Sequence, residues 1–240
     1  MHFSFQVIWQ NLVSPYILGG VWTTVWLTLV AMAAGLVLGL VAALGRISVL
    51  WPIRGIAGFY VWLFRGTPLL VQLILWYSGL PEIGVRLTGL ESAVLGLGLN
   101  EGAYMCEIIR AGLLSVDAGQ MEAAKALGMP YALAMRRIII PQAIRVILPP
   151  TGNEFISMLK NTSLVSVIAV SELLLRTENV ISTTFQTIEL LSVASIYYLS
   201  LTSLFTLIQG RVERWSQRGS SGSASPKRPR ARIIRAGVNR

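Results

Sequence analysis

The sequence predicts an all-α membrane protein with five transmembrane helices. Hydrophobic residues make up 54% of its 240 residues and charged residues only 13%, whereas soluble domains carry roughly 25% charge. The mean hydropathy is +0.64. Five apolar segments are each long enough to cross a bilayer, which requires roughly 20 residues. These segments cover residues 17–45, 55–80, 92–114, 152–175 and 188–210.

The charges in the loops orient these spans. The link after the first span carries Arg46 and Arg54 and no acid, and the stretch after the third span is rich in basic residues. The links after the second and fourth spans balance arginine against glutamate instead. Cytoplasmic loops collect lysine and arginine, so the N-terminus is predicted outside and the C-terminus inside.

Three regions follow from this pattern. Residues 1–15 are an outer-surface lead-in, in which Phe5, Trp9 and Leu12 stand among polar residues, and either an interfacial helix or a frayed start explains them. Residues 16–215 form the transmembrane domain. Residues 216–240 are rich in glycine, serine, proline and basic residues, and we expect a disordered cytoplasmic tail that touches membrane lipid or only anchors the topology. No basic-aromatic module accompanies the net charge of +9, which argues against nucleic acid.

The second span contains a break. Pro68 removes a helical hydrogen bond and Gly66 adds backbone freedom, so a kink is expected there. Transporters often place binding groups at broken helices. Gln72, one turn beyond Pro68, is therefore a candidate pathway residue. The alternative is a packing kink in which Arg65 pairs with a carboxylate or carbonyl.

The third span places polar residues on one helical face. Asn100, Tyr104 and Glu107 follow i, i+4, i+7 spacing, so this face lines either a pathway or a seam between subunits. Glu101, next to Asn100, is a further candidate for the pathway. Glu107 and Arg110 are three residues apart and are expected to form an ion pair.

The fourth span carries a run of neutral hydrogen-bonding groups, Asn161, Thr162 and Ser163. Such groups can bind the α-amino and α-carboxylate groups of an amino acid. They can equally join neighbouring helices within the membrane. Both interpretations stay open at this point.

A polar, helix-prone segment lies between the third and fourth spans, within a cytoplasmic loop at residues 115–150. Glu122, Ala123 and Ala124 favour a slim helix that can enter a groove on a partner. Gly128 suits a helix end that needs a positive φ, and the proline that follows at position 130 forbids continuation. Residues 132–140 predict a second short helix, which Pro141 ends.

This segment, with Glu122-Ala123-Ala124 followed by Gly128, resembles the EAA loop of bacterial ATP-binding-cassette (ABC) importer permeases. Four further stretches are similar to the polar amino-acid uptake family of these permeases. They are residues 20–28 (GVWTTVWLT), 64–72 (FRGTPLLVQ), 103–112 (AYMCEIIRAG) and 148–164 (LPPTGNEFISMLKNTSL). The likeness covers residues 16–215, and the motifs occur in the same order as in the family.

The resemblance implies the type I ABC importer permease fold in the bacterial cytoplasmic membrane. It implies as partners ABC ATPase subunits, an extracytoplasmic amino-acid-binding protein, and a second copy or a paralogue of the permease. It also assigns ATPase coupling to Glu122, Ala123, Ala124 and Gly128, and implies no cofactor. Many relatives carry an aromatic residue where Glu101 stands and aspartate where Asn161 stands, so the charge of the amino acid is left open.

Other classes fit the sequence less well. An intramembrane enzyme or metal site would lack histidine, because the single histidine is His2, and the single cysteine, Cys106, has no histidine partner. There is no GxxxxGK[ST] run, so this chain does not bind ATP through a P-loop. The resemblance assigns ATP hydrolysis to a separate subunit. A channel or a secondary transporter is the better rival, but five spans fit poorly with paired inverted repeats.

Overall fold

The computed structural model describes residues 4–217, which form helices and no strands. Of the tail predicted for residues 216–240, all but the first two residues lie outside the described range. The α-helices are α1 Phe5–Leu12, α2 Pro15–Arg46, α3 Trp51–Gly66, α4 Leu69–Ile74, α5 Gly89–Leu114, α6 Ala118–Ala126, α7 Tyr131–Ala134, α8 Ile140–Asn161, α9 Leu173–Thr184 and α10 Thr187–Gln217. Helix α4 continues as a π turn, Leu75–Gly79, and a 3-10 turn, Leu80–Ile83.

Several of these helices are long enough to cross a membrane. Over the described residues, α2 and α10 are long and apolar enough to span a membrane on their own, and two bent pairs of helices raise that number to four. Helix α5 is more polar, because Asn100, Glu101, Glu107 and Arg110 lie within it. Its 26 residues extend about 39 Å at 1.5 Å per residue, which exceeds the roughly 30 Å of the bilayer core. Helix α5 is therefore long enough to be the fifth span that the sequence predicts.

Helices α2 and α5 pack against each other through glycines at the centre of the molecule. A Cβ atom on Gly35 would lie 2.4 Å from the Glu101 Cγ atom, and one on Gly39 would lie 2.5 Å from the Met105 Cβ atom. Small residues four apart let helix backbones approach closely in membranes. This contact holds Glu101 inside the helix bundle, where only 3% of the surface of Glu101 is exposed.

The helix that carries the fourth span begins well before the predicted membrane segment. The predicted second helix was expected to end at Pro141, but α7 runs through a π turn, Met135–Ile139, directly into α8. In that turn the N–H of Ile140 donates to the carbonyl of Met135, five residues back. Pro141 directly follows the π turn, which accommodates a residue without an N–H inside a continuous helix. The predicted short helix over residues 132–140 is therefore joined to the helix of the fourth span, and Pro141 does not end it.

The outer end of the fourth span also differs from the prediction. After α8, a 3-10 turn, Thr162–Ile168, ends at Ala169, whose φ is +61°. The chain then bends by 50° into α9. The expected link over residues 176–187 is thus largely helix. Glu172, fully buried at the start of α9, accepts hydrogen bonds from the backbone N–H groups of Leu174 and Leu175 and from the Tyr198 hydroxyl, which joins α9 to α10.

The lead-in forms a short helix, α1, on the outer end of α10. Ile8 and Leu12 pack against the cluster of Ile17, Leu173 and Val193. The Tyr197 hydroxyl of α10 donates to the Leu12 carbonyl. Phe5 and Trp9, one turn apart, are 77% and 69% exposed. One face of α1 is therefore packed on the protein and the other presents aromatic side chains outward.

The orientation can be tested by labelling single cysteines in cells. Starting from Cys106→Ser, which removes the only native thiol, we expect Glu82→Cys and Thr183→Cys to react with an impermeant thiol reagent added outside. Ser48→Cys and Lys125→Cys should react only after the membrane is permeabilised, because both lie on the predicted cytoplasmic side. Labelling in the opposite pattern would overturn the orientation.

Candidate functional site

A cavity of about 610 Å³ opens beside the break in the second span. Its volume lies within the usual range for small-molecule sites, roughly 300–1,000 Å³. Helices α3, α4, α5 and α8 and the break contribute its walls. The lining residues are Arg65, Gly66, Thr67, Pro68, Leu69, Asn100, Glu101, Tyr104, Glu154, Ser157 and Asn161.

The break itself is stabilised by two amide side chains. The chain turns by 104° between α3 and the segment that starts at Leu69. Pro68 has no N–H, so the carbonyl of Phe64 loses its helical donor. Gln72 Nε2 donates to this carbonyl at 2.9 Å and Asn100 Nδ2 at 3.0 Å, and Asn100 Nδ2 also donates to Gln72 Oε1 at 3.1 Å. These bonds let a sharply bent backbone persist at membrane depth.

The cavity carries one guanidinium and two carboxyl groups. The Arg65 Cζ atom lies 5.1 Å from the centre of the Tyr104 ring, in cation-π geometry. Among the described residues, no carboxylate pairs with Arg65 within 4.0 Å; the two salt bridges found there are both made by Glu107. Glu101 is buried and its Oε1 atom has no hydrogen-bond partner. Glu154, on α8, also lines the cavity.

The structure distributes the predicted pathway residues over three places. Asn100, Glu101, Tyr104 and Asn161 line the cavity. Gln72 does not line the cavity; its side chain donates to the free carbonyl of Phe64 at the break in the second span.

Thr162 is fully buried and donates to the carbonyl of Leu159, and Ser163 donates to the carbonyl of Lys160. Thr162 and Ser163 do not line this cavity, and Ser163 faces a separate, mostly apolar depression between α8 and α10.

Sequence reasoning missed two residues of the cavity, Glu154 and Ser157. With Asn161 they follow i, i+3, i+7 spacing along α8, so a helical pattern was available. Both residues lie within the predicted fourth span, residues 152–175, where only the run of Asn161, Thr162 and Ser163 was singled out. Glu107 and Arg110, in contrast, form the ion pair that their spacing predicts, with the Arg110 Nη2 atom 2.6 Å from the Glu107 Oε2 atom.

The polar segment between the third and fourth spans forms a helix, α6, with defined caps. The Asp117 side chain accepts from the N–H of Gly119 at 2.7 Å. At the other end Gly128 has φ +73°, its N–H donates to the carbonyl of Lys125, and the N–H of Met129 donates to the carbonyl of Ala124. These two bonds are the Schellman motif, and they confirm that the position of Gly128 needs a left-handed backbone.

The surface of α6 divides into a packed and an open side. Ala124 is 1% exposed and faces the protein. Glu122 and Ala123 are exposed, and Leu127 at the helix end is 81% exposed. Tyr131, just beyond the turn, is also largely exposed. An apolar end on a helix outside the bilayer is typical of a surface that a partner protein covers.

Comparison with known proteins agrees with this architecture. Residues 35–218 match the family described as binding-protein-dependent transport system inner membrane component. The chain is 45% identical over 213 residues to an arginine transport system permease protein, ArgU, of Corynebacterium glutamicum, covering 82% of this chain and 67% of that protein. It is 40% identical over 201 residues to the arginine transport system permease protein ArtQ of Bacillus subtilis, covering 83% and 92%.

The fold also matches solved structures of ABC transporters. A crystal structure of an amino acid ABC transporter with histidines is 40% identical and superposes with a TM-score of 0.84 over 90% of this chain and all of that chain. An inward-facing MetNI methionine ABC transporter superposes with a TM-score of 0.72 over 89% and 99% of the two chains, at 18% identity. The latter likeness concerns the fold alone.

Proposed function

The chain belongs to the family of binding-protein-dependent transport system inner membrane components. Within that family, we propose that the cavity of this chain selects a cationic amino acid. The chain is the permease subunit of an ABC importer for amino acids in the cytoplasmic membrane. It is not itself an enzyme, because ATP is hydrolysed by a separate subunit. Importers of this family also use a binding protein and a dimeric arrangement of permeases.

The observation that carries the proposal is the balance of charges in the cavity. A basic amino acid carries two cations and one carboxylate, and the cavity presents two carboxyl groups, Glu101 and Glu154, and one guanidinium, Arg65. A buried charge needs a partner of opposite sign. Glu101 Oε1, which has no protein partner, is suited to accept a hydrogen bond from an ammonium or guanidinium group.

The neutral groups of the cavity fit the same ligand. Asn100 and Asn161 offer amide donors and acceptors, and Ser157 offers a hydroxyl. They can add hydrogen bonds to the α-amino and α-carboxylate groups, which the charged residues of the cavity pair with. Relatives named for arginine transport agree with this substrate class.

A competition experiment tests the substrate class. The permease is reconstituted in proteoliposomes with its ATPase and its binding protein, and ATP-dependent uptake of labelled arginine is measured. Unlabelled lysine should compete more strongly than glutamine, and glutamate should compete least. Stronger competition by glutamine than by lysine would overturn the proposed substrate class. Uptake without ATP would instead contradict the importer function.

Asn161 gives a second prediction at the same site. Replacing Asn161 with aspartate should shift preference further towards cationic amino acids, because a third carboxyl group is added to the cavity. Replacing it with alanine removes one hydrogen bond to a charged ligand group, which costs about 1.5–3 kcal/mol, or tenfold or more in uptake at subsaturating substrate. An unchanged order of preference together with a fully active Asn161→Ala variant would place selection in the binding protein alone.

We further propose that α6 docks on the ATPase. The contact surface consists of Glu122, Ala123 and Leu127, which are exposed, while buried Ala124 packs the helix onto its own chain. Gly128 sets the direction in which the chain leaves the helix. Helix α1 is proposed to lie at the outer membrane surface, with Phe5 and Trp9 at the headgroup level, where aromatic rings are favoured.

A further inference from the structure

Two consecutive prolines interrupt the hydrogen bonding of α8. The carbonyl of Arg145 would normally accept from residue 149, or from residue 150 in a π-helical register. Both residues are prolines and have no N–H. Helix α8 therefore contains a carbonyl without a backbone donor, at the end of the span nearest α6.

Helix α10 supplies the missing donor. The Ser216 hydroxyl donates to the Arg145 carbonyl, and Ser216 is 6% exposed. The adjacent Trp215 ring lies 6.0 Å from the Arg145 Cζ atom. Two turns earlier, Gln209 Nε2 donates to the carbonyl of Pro149 at 3.3 Å and to Asn153 Oδ1 at 2.8 Å. The contact thus follows α10 over two turns.

Helices α8 and α10 also pack closely against each other beyond the proline pair. A Cβ atom on Gly152 would lie 2.9 Å from the Gln209 Cγ atom, so α10 approaches α8 more closely than a larger residue would allow. The rings of Phe155 and Phe205 lie 4.4 Å apart one turn further along. The two helices are therefore joined on both sides of the proline pair.

The position of this contact connects the two proposed sites. Helix α8 continues from α7, which follows α6, and the same helix carries Glu154 into the cavity. We propose that Ser216 and Gln209 are positioning residues that fasten α10 to the proline hinge of α8, so that displacement of α6 moves the Glu154 wall and α10 together. Without this bond, α8 would flex at Pro149 and ATP hydrolysis would be only partly converted into transport. The inference rests on the proposed docking of α6 on the ATPase.

The test measures coupling in the complete reconstituted importer. We expect Ser216→Ala to lower the amount of amino acid transported per ATP hydrolysed by about threefold to tenfold, the range that the loss of one buried hydrogen bond supports. Co-purification of the ATPase should be unchanged. Ser216→Thr, which keeps the hydroxyl, should behave as wild type. Ser200→Ala is the matched control, because the Ser200 hydroxyl is exposed and donates to the carbonyl of Ile196 in its own helix.

A second background separates this role from a general structural one. Pro149→Ala restores an N–H that can donate to the Arg145 carbonyl, so Ser216→Ala should have little further effect in that background. Full coupling in Ser216→Ala alone, or an equal loss in both backgrounds, would overturn the inference. If Pro149→Ala is itself inactive, the comparison of Ser216→Thr with Ser216→Ala decides, and equal loss in both refutes the role. An importer whose wild-type ATPase does not bind the permease would instead refute the proposed docking.

Discussion

Replacing Gly128 with valine is expected to detach the ATPase from the permease while leaving the chain in the membrane. Gly128 has φ +73°, in the left-handed region, and no atom lies within 4 Å of a Cβ added there. The cost therefore comes from the backbone and not from a clash. An L-residue in this region costs roughly 1–2 kcal/mol, with β-branched residues at the unfavourable end. Helix α6 should lose its Schellman turn, and its exposed end, Leu127, should move.

The measurement is co-purification of the ATPase with detergent-solubilised permease, together with the amount of permease in the membrane. We expect ATPase binding to weaken on the order of tenfold or more. Gly128→Asn is the control, because asparagine tolerates the left-handed conformation, and it should keep most of the binding. Gly55→Val tests a glycine that also has open space around it but no positive φ. Normal ATPase binding and uptake by Gly128→Val would refute the proposed docking helix.

Replacing Glu154 with glutamine is expected to reduce arginine uptake strongly and glutamine uptake weakly. Glu154 lines the cavity from α8, and Arg65 and Glu101 lie on the other walls. Removing its charge leaves the cavity with one carboxyl group and one guanidinium, which no longer match a basic amino acid. A hydrogen bond to a charged group contributes about 1.5–3 kcal/mol, so arginine uptake at subsaturating concentration should fall by tenfold or more.

The control for this change is Glu178→Gln, which removes the same charge from an exposed position on α9. It should leave the ratio of arginine to glutamine uptake unchanged. Binding-protein-stimulated ATPase activity should be measured as well, because a misassembled importer would lose both activities. An equal fall of arginine and glutamine uptake in Glu154→Gln would show that Glu154 does not select charge.

Local chemistry made much of this fold predictable. The break at Gly66 and Pro68 and the positive φ of Gly128 follow from single residues whose backbone preferences are strong. The ion pair of Glu107 with Arg110 follows from helical spacing. These features depend on neighbours in sequence, and the structure contains all of them.

The remaining features depend on contacts between distant residues. The predicted helix end at Pro141 was wrong because a π turn accommodates this proline, and no residue pattern in the sequence predicts a π turn. The place of Glu154 in the cavity depends on how α8 meets α5, and the location of Gln72 depends on a carbonyl eight residues earlier. The sequence was sufficient to identify candidate side chains. Which of them line the same cavity is decided by helix packing.

The bent second span has a consequence for the order in which the chain enters the membrane. The Phe64 carbonyl, left without a donor by Pro68, receives one hydrogen bond from Gln72 in its own span and one from Asn100 in the next. When the second span first emerges from the ribosome, Asn100 has not yet been inserted. Gln72 Nε2 already has Phe64 and Thr67 as partners in its own span, but Gln72 Oε1 lacks the donor that Asn100 supplies. An unsatisfied polar group is costly in lipid. We therefore expect the second span to stay in contact with the insertion machinery until the third span is synthesised, and the two spans to enter the lipid together.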